Sequence, residues 1–144
     1  MQAYPHKYTV TANGSATGTV PVAATGLPML DTESPREFDG PGDQWSPENM
    51  LCAAVASCFI LTFRAVAKAS KQEWRQLACH VEGTLERVER ETRFTLFATH
   101  VVLVVPRGAD RARCQQLLEK SERACLIANS LRAERMFDID IKEV

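Results

Sequence analysis

Between Glu48 and Arg64 the chain carries no charged residue, and no other feature restricts its fold as strongly. Ser46-Pro47-Glu48 in front of that run supplies an N-cap, a proline for the first turn and an acid at the helix N-terminus, so a helix is predicted over Pro47–Ala69. Roughly four of its turns, at 3.6 residues each, then lack a charged face. The uncharged run is shorter than the ~20 residues of a membrane span, and a soluble helix that is apolar all round must be covered on every side. A chain of 144 residues, 45% apolar and 24% charged, has the size of one globular domain, 1–144, but covers such a helix with difficulty. The small residues Ala53, Ala54, Ala56 and Ser57 let a second backbone come close, which points to a homodimer with this helix near its interface. The competing arrangement is a central helix wrapped by the chain's own sheet.

The remainder reads as strands and one more helix. Tyr8, Val10, Val20 and Val22 fall at period-two spacing around Asn13-Gly14, predicting an amino-terminal β-hairpin within residues 6–24. A short strand is expected at 27–30, then a long Gly- and Pro-containing loop over 31–45, a length that in compact domains often carries function. Leu77, Cys79, Val81, Gly83 and Leu85 alternate with polar residues and give a strand with one buried face. A turn at 89–92 leads to a partner strand over 94–105, closed by Pro106. Asp110 caps a second helix whose stripe is Cys114, Leu117, Leu118, Ser121 and Cys125; a break near 129–130 and a last strand at 136–141 follow. This order describes an α+β domain rather than alternating βαβ units.

Seventeen Lys and Arg against eighteen Asp and Glu give a net charge of -1, without the positive field that attracts phosphate backbones or anionic lipid. Neither nucleic acid nor a membrane is expected as partner. Residues 1–7 contain no charged region followed by an apolar run, so the expected location is the cytoplasm. Five irregularly spaced cysteines do not form a disulfide scaffold there, and the odd count leaves one unpaired. Some pairings are excluded by helix geometry. Cys52 and Cys58 are about 9 Å apart in rise and roughly 240° apart in rotation on one helix. Cys114 and Cys125 share a face but are separated by roughly 16 Å, beyond the ~7 Å limit on Cα separation. Any bond within the chain must join different elements, and spacing does not select which. No Cys-x-x-Cys or His-Glu-x-x-His occurs and His6, His80 and His100 are scattered, so no metal site is expected. Cys58 has only uncharged helix neighbours, Ala54, Val55, Leu61 and Thr62, so a cation that activates it must come from another segment or subunit.

Ser46-Pro47-Glu48-Asn49-Met50-Leu51 followed by Ala53-Ala54-Val55-Ala56-Ser57-Cys58-Phe59 closely resembles the core helix of the OsmC/Ohr family of organic hydroperoxide reductases. Cys125-Leu126-Ile127-Ala128-Asn129-Ser130-Leu131 resembles that family's second cysteine segment. The resemblance implies an OsmC-like fold, with antiparallel sheets packed around a long central helix in an intertwined homodimer whose two active sites lie at the subunit interface. It implies a thiol peroxidase. Cys58 matches the peroxidatic cysteine and Cys125 the resolving one; Cys58 would reduce an organic hydroperoxide and pass through a sulfenic acid to a disulfide with Cys125. An external dithiol, lipoyl-linked in characterised branches, would restore both thiols, with no bound cofactor. Cys52, Cys79 and Cys114 are left to packing.

Glu48 matches the glutamate that holds an arginine against the reactive thiolate. It lies about 15 Å from Cys58 along one helix, and the two could meet if two copies of the helix packed antiparallel. The Ohr-type arginine of the amino-terminal strands is missing, since Lys7 is the only base before Arg36. Arg36-Glu37-Phe38-Asp39-Gly40 resembles the OsmC-type segment with one residue inserted, which makes Arg36 the candidate partner. Phe38, Trp45 and Phe59 are candidate walls of an apolar substrate pocket. Two other readings remain: a dimeric ligand-binding or redox-sensing protein without turnover, and a cysteine hydrolase with His80 or His100 as base.

Overall fold

The computed structural model describes residues 1–144, which divide into two compact units, Met1–Met50 and Leu51–Val144. The first holds a small antiparallel sheet of β1 (Thr11–Ala12), β2 (Val20–Ala23) and β3 (Leu30–Thr32), in that order. The hairpin is present but looser than Asn13-Gly14 implies. Thr11 pairs with Ala23 and Ala12 with Val22, while the left-handed residue of the connection is Gly18 (φ 90°). Residues 15–18 offer no alternating apolar pattern, so pairing resumes only at Val20. The turn at 24–27, closed by Leu27 N–H donating to Ala24 O (3.1 Å), moves the third strand past Pro28 to Leu30. The following loop makes one 3-10 turn, Arg36–Phe38, and returns to β3 through a Thr32–Trp45 bridge.

Ser46 then starts α1 (Pro47–Ala69), its Oγ accepting from Asn49 N–H at 3.1 Å. From Leu51 onward this helix belongs to the second unit, with β4 (Gln76–Val88), β5 (Glu91–Val105), α2 (Arg111–Ala124), α3 (Leu126–Asn129) and β6 (Glu134–Glu143). The sheet order is β4-β5-β6. β4 and β5 are antiparallel, but β6 runs parallel to β5, so this sheet is mixed rather than antiparallel and the chain contains one βαβ crossover. The α+β class and the extent of α1 agree with the expectation.

The core lies on one face of this sheet. Val55, Phe59, Phe63 and Ala67, four residues apart along α1, pack with Val101, Leu103 and Val105 of β5 and with Cys114, Leu117 and Leu118 of α2. Alternation in β4 keeps Leu77 to Gly83 in phase, then slips at Thr84/Leu85, which leaves Leu85 36% exposed instead of inward. Glu89 and Arg90 both adopt left-handed backbone (φ 51° and 69°), which makes the β4–β5 connection a two-residue turn. Asp110 caps α2 by accepting from Arg113 N–H at 3.1 Å. The helix ends at Ala124, about one turn before the break expected near 129–130: Cys125 is extended (φ −64°, ψ 101°) and separates α2 from α3.

Only a narrow stripe of α1 is covered. Its most apolar 18 residues have a mean hydropathy of 2.0, yet 28% of them are buried, and Leu61 is 54% exposed. By length and composition the whole helix would suffice to cross a bilayer, which the shorter uncharged run did not suggest. Its stripe is instead committed to the core described above.

Gly83 lets α1 approach β4 closely. A Cβ there would lie 2.8 Å from Phe94 Cε1 and 2.9 Å from Cys52 Sγ. Gly83→Val is therefore expected to lower the unfolding free energy by about 1–3 kcal/mol, read from urea denaturation; an unchanged midpoint would show that the contact yields without cost.

Candidate functional site

The two motif cysteines are presented by different elements of the second unit. Cys58 sits one residue before the buried Phe59, so it lies at the flank of the core stripe and is half-buried. Its Sγ is 3.9 Å from Thr62 Oγ1, and that hydroxyl donates to Cys58 O at 2.7 Å. Cys125 terminates the apolar stripe of α2 and is 1% exposed. Its thiol lies 3.9 Å from Val55 O, one turn before Cys58, close enough to the Cys58 thiol for the two to act on each other electrostatically. The fold thus brings together Cys58 and Cys125, 67 residues apart in sequence, and all five cysteines are free thiols.

Burial pushes the Cys125 thiol up to about 11 from the ordinary 9.0; a hydrogen bond from the Ala128 backbone opposes this, and the Cys58 thiol and Glu122 carboxylate add to it. Cys79, facing the same core from β4, is pushed up to about 12 by burial and then by Cys125 and Glu122. Burial also raises Cys52 and Cys114. These surroundings keep the four as neutral thiols near pH 7.

Within one chain Glu48 and Arg36 do not pair with each other. Both residues lie in the first unit, but Arg36 takes part in none of the four ion pairs, which join Glu73–Arg75, His100–Asp138, Glu91–Arg132 and Glu122–Arg135. Its side chain lies over Gly42, where a Cβ would collide with it. Glu48 Oε2 is buried with no hydrogen-bond partner. Trp45 (50% exposed) borders a shallow cavity of about 390 Å³ with Asp43 and Asn49, and Phe38 is 54% exposed on the same loop. Phe59 does not line a pocket. It is 1% exposed, packed against Phe137 with ring centroids 5.4 Å apart, because it belongs to the inward stripe of α1.

Neither candidate histidine accompanies Cys58. His80 and His100 face each other across β4 and β5 on the outer side of the sheet, opposite the helices, and His100 Nδ1 is 2.7 Å from Asp138 Oδ2. The hydrolase reading fails on that placement. Spacing alone gave no warning of a cluster close to Cys125. Arg135 of β6 binds Glu122 at 2.8 Å and Asn129 at 2.6 Å on either side of the α2–α3 break. Its only signal in the sequence was a base at the start of the inward row Arg135, Phe137, Ile139, Ile141.

Residues 40–140 match the model of the OsmC-like protein family. The chain belongs to the OsmC-like family. It is 30% identical over 134 residues to the organic hydroperoxide resistance protein of Xanthomonas axonopodis pv. citri, covering 90% of this chain and 92% of that one. It is 29% identical over 101 residues to the uncharacterized protein YmaD of Bacillus subtilis, covering 68% of this chain and 67% of the other. Its fold is that of an organic hydroperoxide resistance protein OsmC from Legionella pneumophila, with a TM-score of 0.76 at 24% identity over 97% of this chain and 99% of the other. An OsmC-like fold at such low identity is a statement about architecture, and the chemistry has to be argued from the residues above.

The raised thiol has a consequence for stability with a definite sign. An unfolded Cys125 loses its proton near its ordinary 9.0 while the folded one holds it to about 11, so stability is full below about pH 9 and lost as pH rises towards 11. Unfolding free energy measured between pH 8 and 10.5 is expected to fall, and Cys125→Ala to lessen the slope by up to ~1.4 kcal/mol per pH unit. An unaltered slope in the variant would remove Cys125 as the source.

Proposed function

We propose that this OsmC-like protein is a thiol peroxidase that reduces organic hydroperoxides to alcohols. The observation that carries the reading is the apposition of the Cys58 and Cys125 thiols, reached from separate elements, with Cys125 Sγ 3.9 Å from Val55 O one turn before Cys58. In the first step the Cys58 thiolate attacks the distal hydroperoxide oxygen; the O–O bond breaks, the alcohol leaves with a proton, and Cys58 becomes a sulfenic acid. Cys125 then condenses with it, forming a disulfide and releasing water. An external dithiol, lipoyl-linked or otherwise, reduces the disulfide by two exchanges and is itself oxidised. The organic hydroperoxide resistance protein of Xanthomonas, 30% identical over most of both chains, supports the substrate class.

In this reading the protein works as a homodimer in the cytoplasm. The uncovered apolar faces of α1 call for a second copy, and the unpartnered Glu48 oxygen calls for a cation. Arg36, the unpaired guanidinium of the same unit, is the proposed source, drawn to the Cys58 thiolate once Glu48 orders it. Phe38 and Trp45 remain as apolar walls for the substrate's organic group.

After one equivalent of cumene hydroperoxide, mass spectrometry is expected to show a Cys58–Cys125 disulfide that a dithiol reverses. Cys58→Ser should abolish hydroperoxide consumption, and Cys125→Ser should limit it to one reduction per subunit. A redox sensor or ligand-binding protein would instead form the disulfide without repeated turnover when dithiol is in excess. Retained turnover in Cys58→Ser would eliminate Cys58 as nucleophile.

A further inference from the structure

Among the inward-facing residues of β6, Arg135 is the exception. It pairs in register with the buried Phe97 and is followed on the same face by Phe137, Ile139 and Ile141, all packed against the core. A guanidinium in such a row is costly unless its charge and donors are satisfied. Arg135 satisfies them on one short segment. Nε donates to Glu122 Oε1 at 2.8 Å, Nη1 to Asn129 Oδ1 at 2.6 Å, and Nη2 to the Glu122 carbonyl oxygen. Glu122 lies three residues before Cys125 and Asn129 four after it. Asn129 ties the segment to itself, its Nδ2 donating to Arg123 O at 3.0 Å and its N–H to Cys125 O at 2.9 Å. One planar fork therefore grips both sides of the extended Cys125, a geometry that the point charge of a lysine does not reproduce.

We propose that Arg135 is a positioning residue for the resolving step: it braces the α2–α3 break so that the Cys125 thiol reaches the Cys58 sulfenic acid before a second hydroperoxide does. This rests on the thiol peroxidase reading given above. Two reactions compete for the sulfenic acid. Condensation with the Cys125 thiol forms the S–S bond and releases water. Reaction with a second hydroperoxide transfers another oxygen, giving a Cys58 sulfinic acid and an alcohol. The first is intramolecular, and its advantage depends on holding the two sulfurs in place. The second does not involve Cys125. Loss of the brace should therefore change the ratio of products rather than the rate of the first oxidation. Glu122 also bears on the thiol electrostatically, because its carboxylate raises Cys125, and Arg135 is the cation paired with that carboxylate.

The test is quenched-flow mass spectrometry of the full chain with a rising excess of cumene hydroperoxide, alongside thermal unfolding. For Arg135→Gln the expectation is Cys58 oxidation within about twofold of the parent, disulfide closure slowed about tenfold or more, and a matching rise in the ratio of sulfinic acid to disulfide. Arg135→Lys should fall between the two. Asn129→Ala removes one arm and should shift the ratio in the same direction by less; it also serves if Arg135→Gln does not fold. A parental ratio in whichever variant folds overturns the proposal, as does equal slowing of oxidation and closure, which marks a merely structural residue. If the unsubstituted protein forms no Cys58–Cys125 disulfide, the peroxidase reading fails and the proposal with it.

Discussion

The contact on which the second unit depends is the stripe Val55, Phe59, Phe63 and Ala67 of α1 pressed onto Val101, Leu103 and Val105 of β5. Each large apolar side chain buried there contributes roughly 1.5–3 kcal/mol, and together they fix the rotation of α1 about its axis. That rotation decides where Cys58 goes. One residue before Phe59, it lies about 100° from the centre of the stripe, at the boundary of the core. A helix turned by one residue would bury Cys58 in place of Phe59.

The same core sets the second sulfur by another route. Because β6 is parallel to β5, the chain must cross over the sheet between them, and α2 with α3 is that crossover. The stripe Cys114, Leu117, Leu118 and Ser121 lays α2 onto the core beside α1, and its continuation brings Cys125 level with Val55. A straight helix through Cys125 would satisfy the stripe equally well. The helix is broken at Cys125 instead, and polar contacts from β6, the strand that the crossover exists to reach, join the two sides of the break. Crossover and brace are thus two results of one topology.

What could be read in the sequence divides along the same line. The start of α1 followed from Ser46-Pro47-Glu48, and the inward face of α2 from its period, because capping and amphipathicity act within a few residues. Features governed by distant partners were not visible. The direction of β6, the slip at Thr84/Leu85 and the extended Cys125 depend on neighbours in other elements, and so did the fate of Phe59, which looked like a pocket wall until the stripe claimed it. Residue spacing could exclude cysteine pairs within a helix but could not choose one between helices. The choice of Cys58 and Cys125 came from resemblance to a family, and the apposition of their thiols is what the fold adds.

Charge is distributed unevenly between the two units. The unit Leu51–Val144 holds both sulfurs but surrounds Cys125 with burial and a carboxylate, conditions that favour the neutral thiol. Such a thiol is a poor nucleophile, which in the proposed cycle suits it to the second, resolving step. The unit Met1–Met50 holds an unpaired guanidinium, Arg36, and a buried carboxylate oxygen without a partner, Glu48. A net charge of -1 conceals this separation. The uncharged turns of α1 cannot stabilise a thiolate at Cys58 from within their own helix, so the stabilising cation has to come from outside it. In the proposed homodimer, an antiparallel second copy would cover the apolar faces of α1 and carry the acid of one helix towards the cysteine of the other.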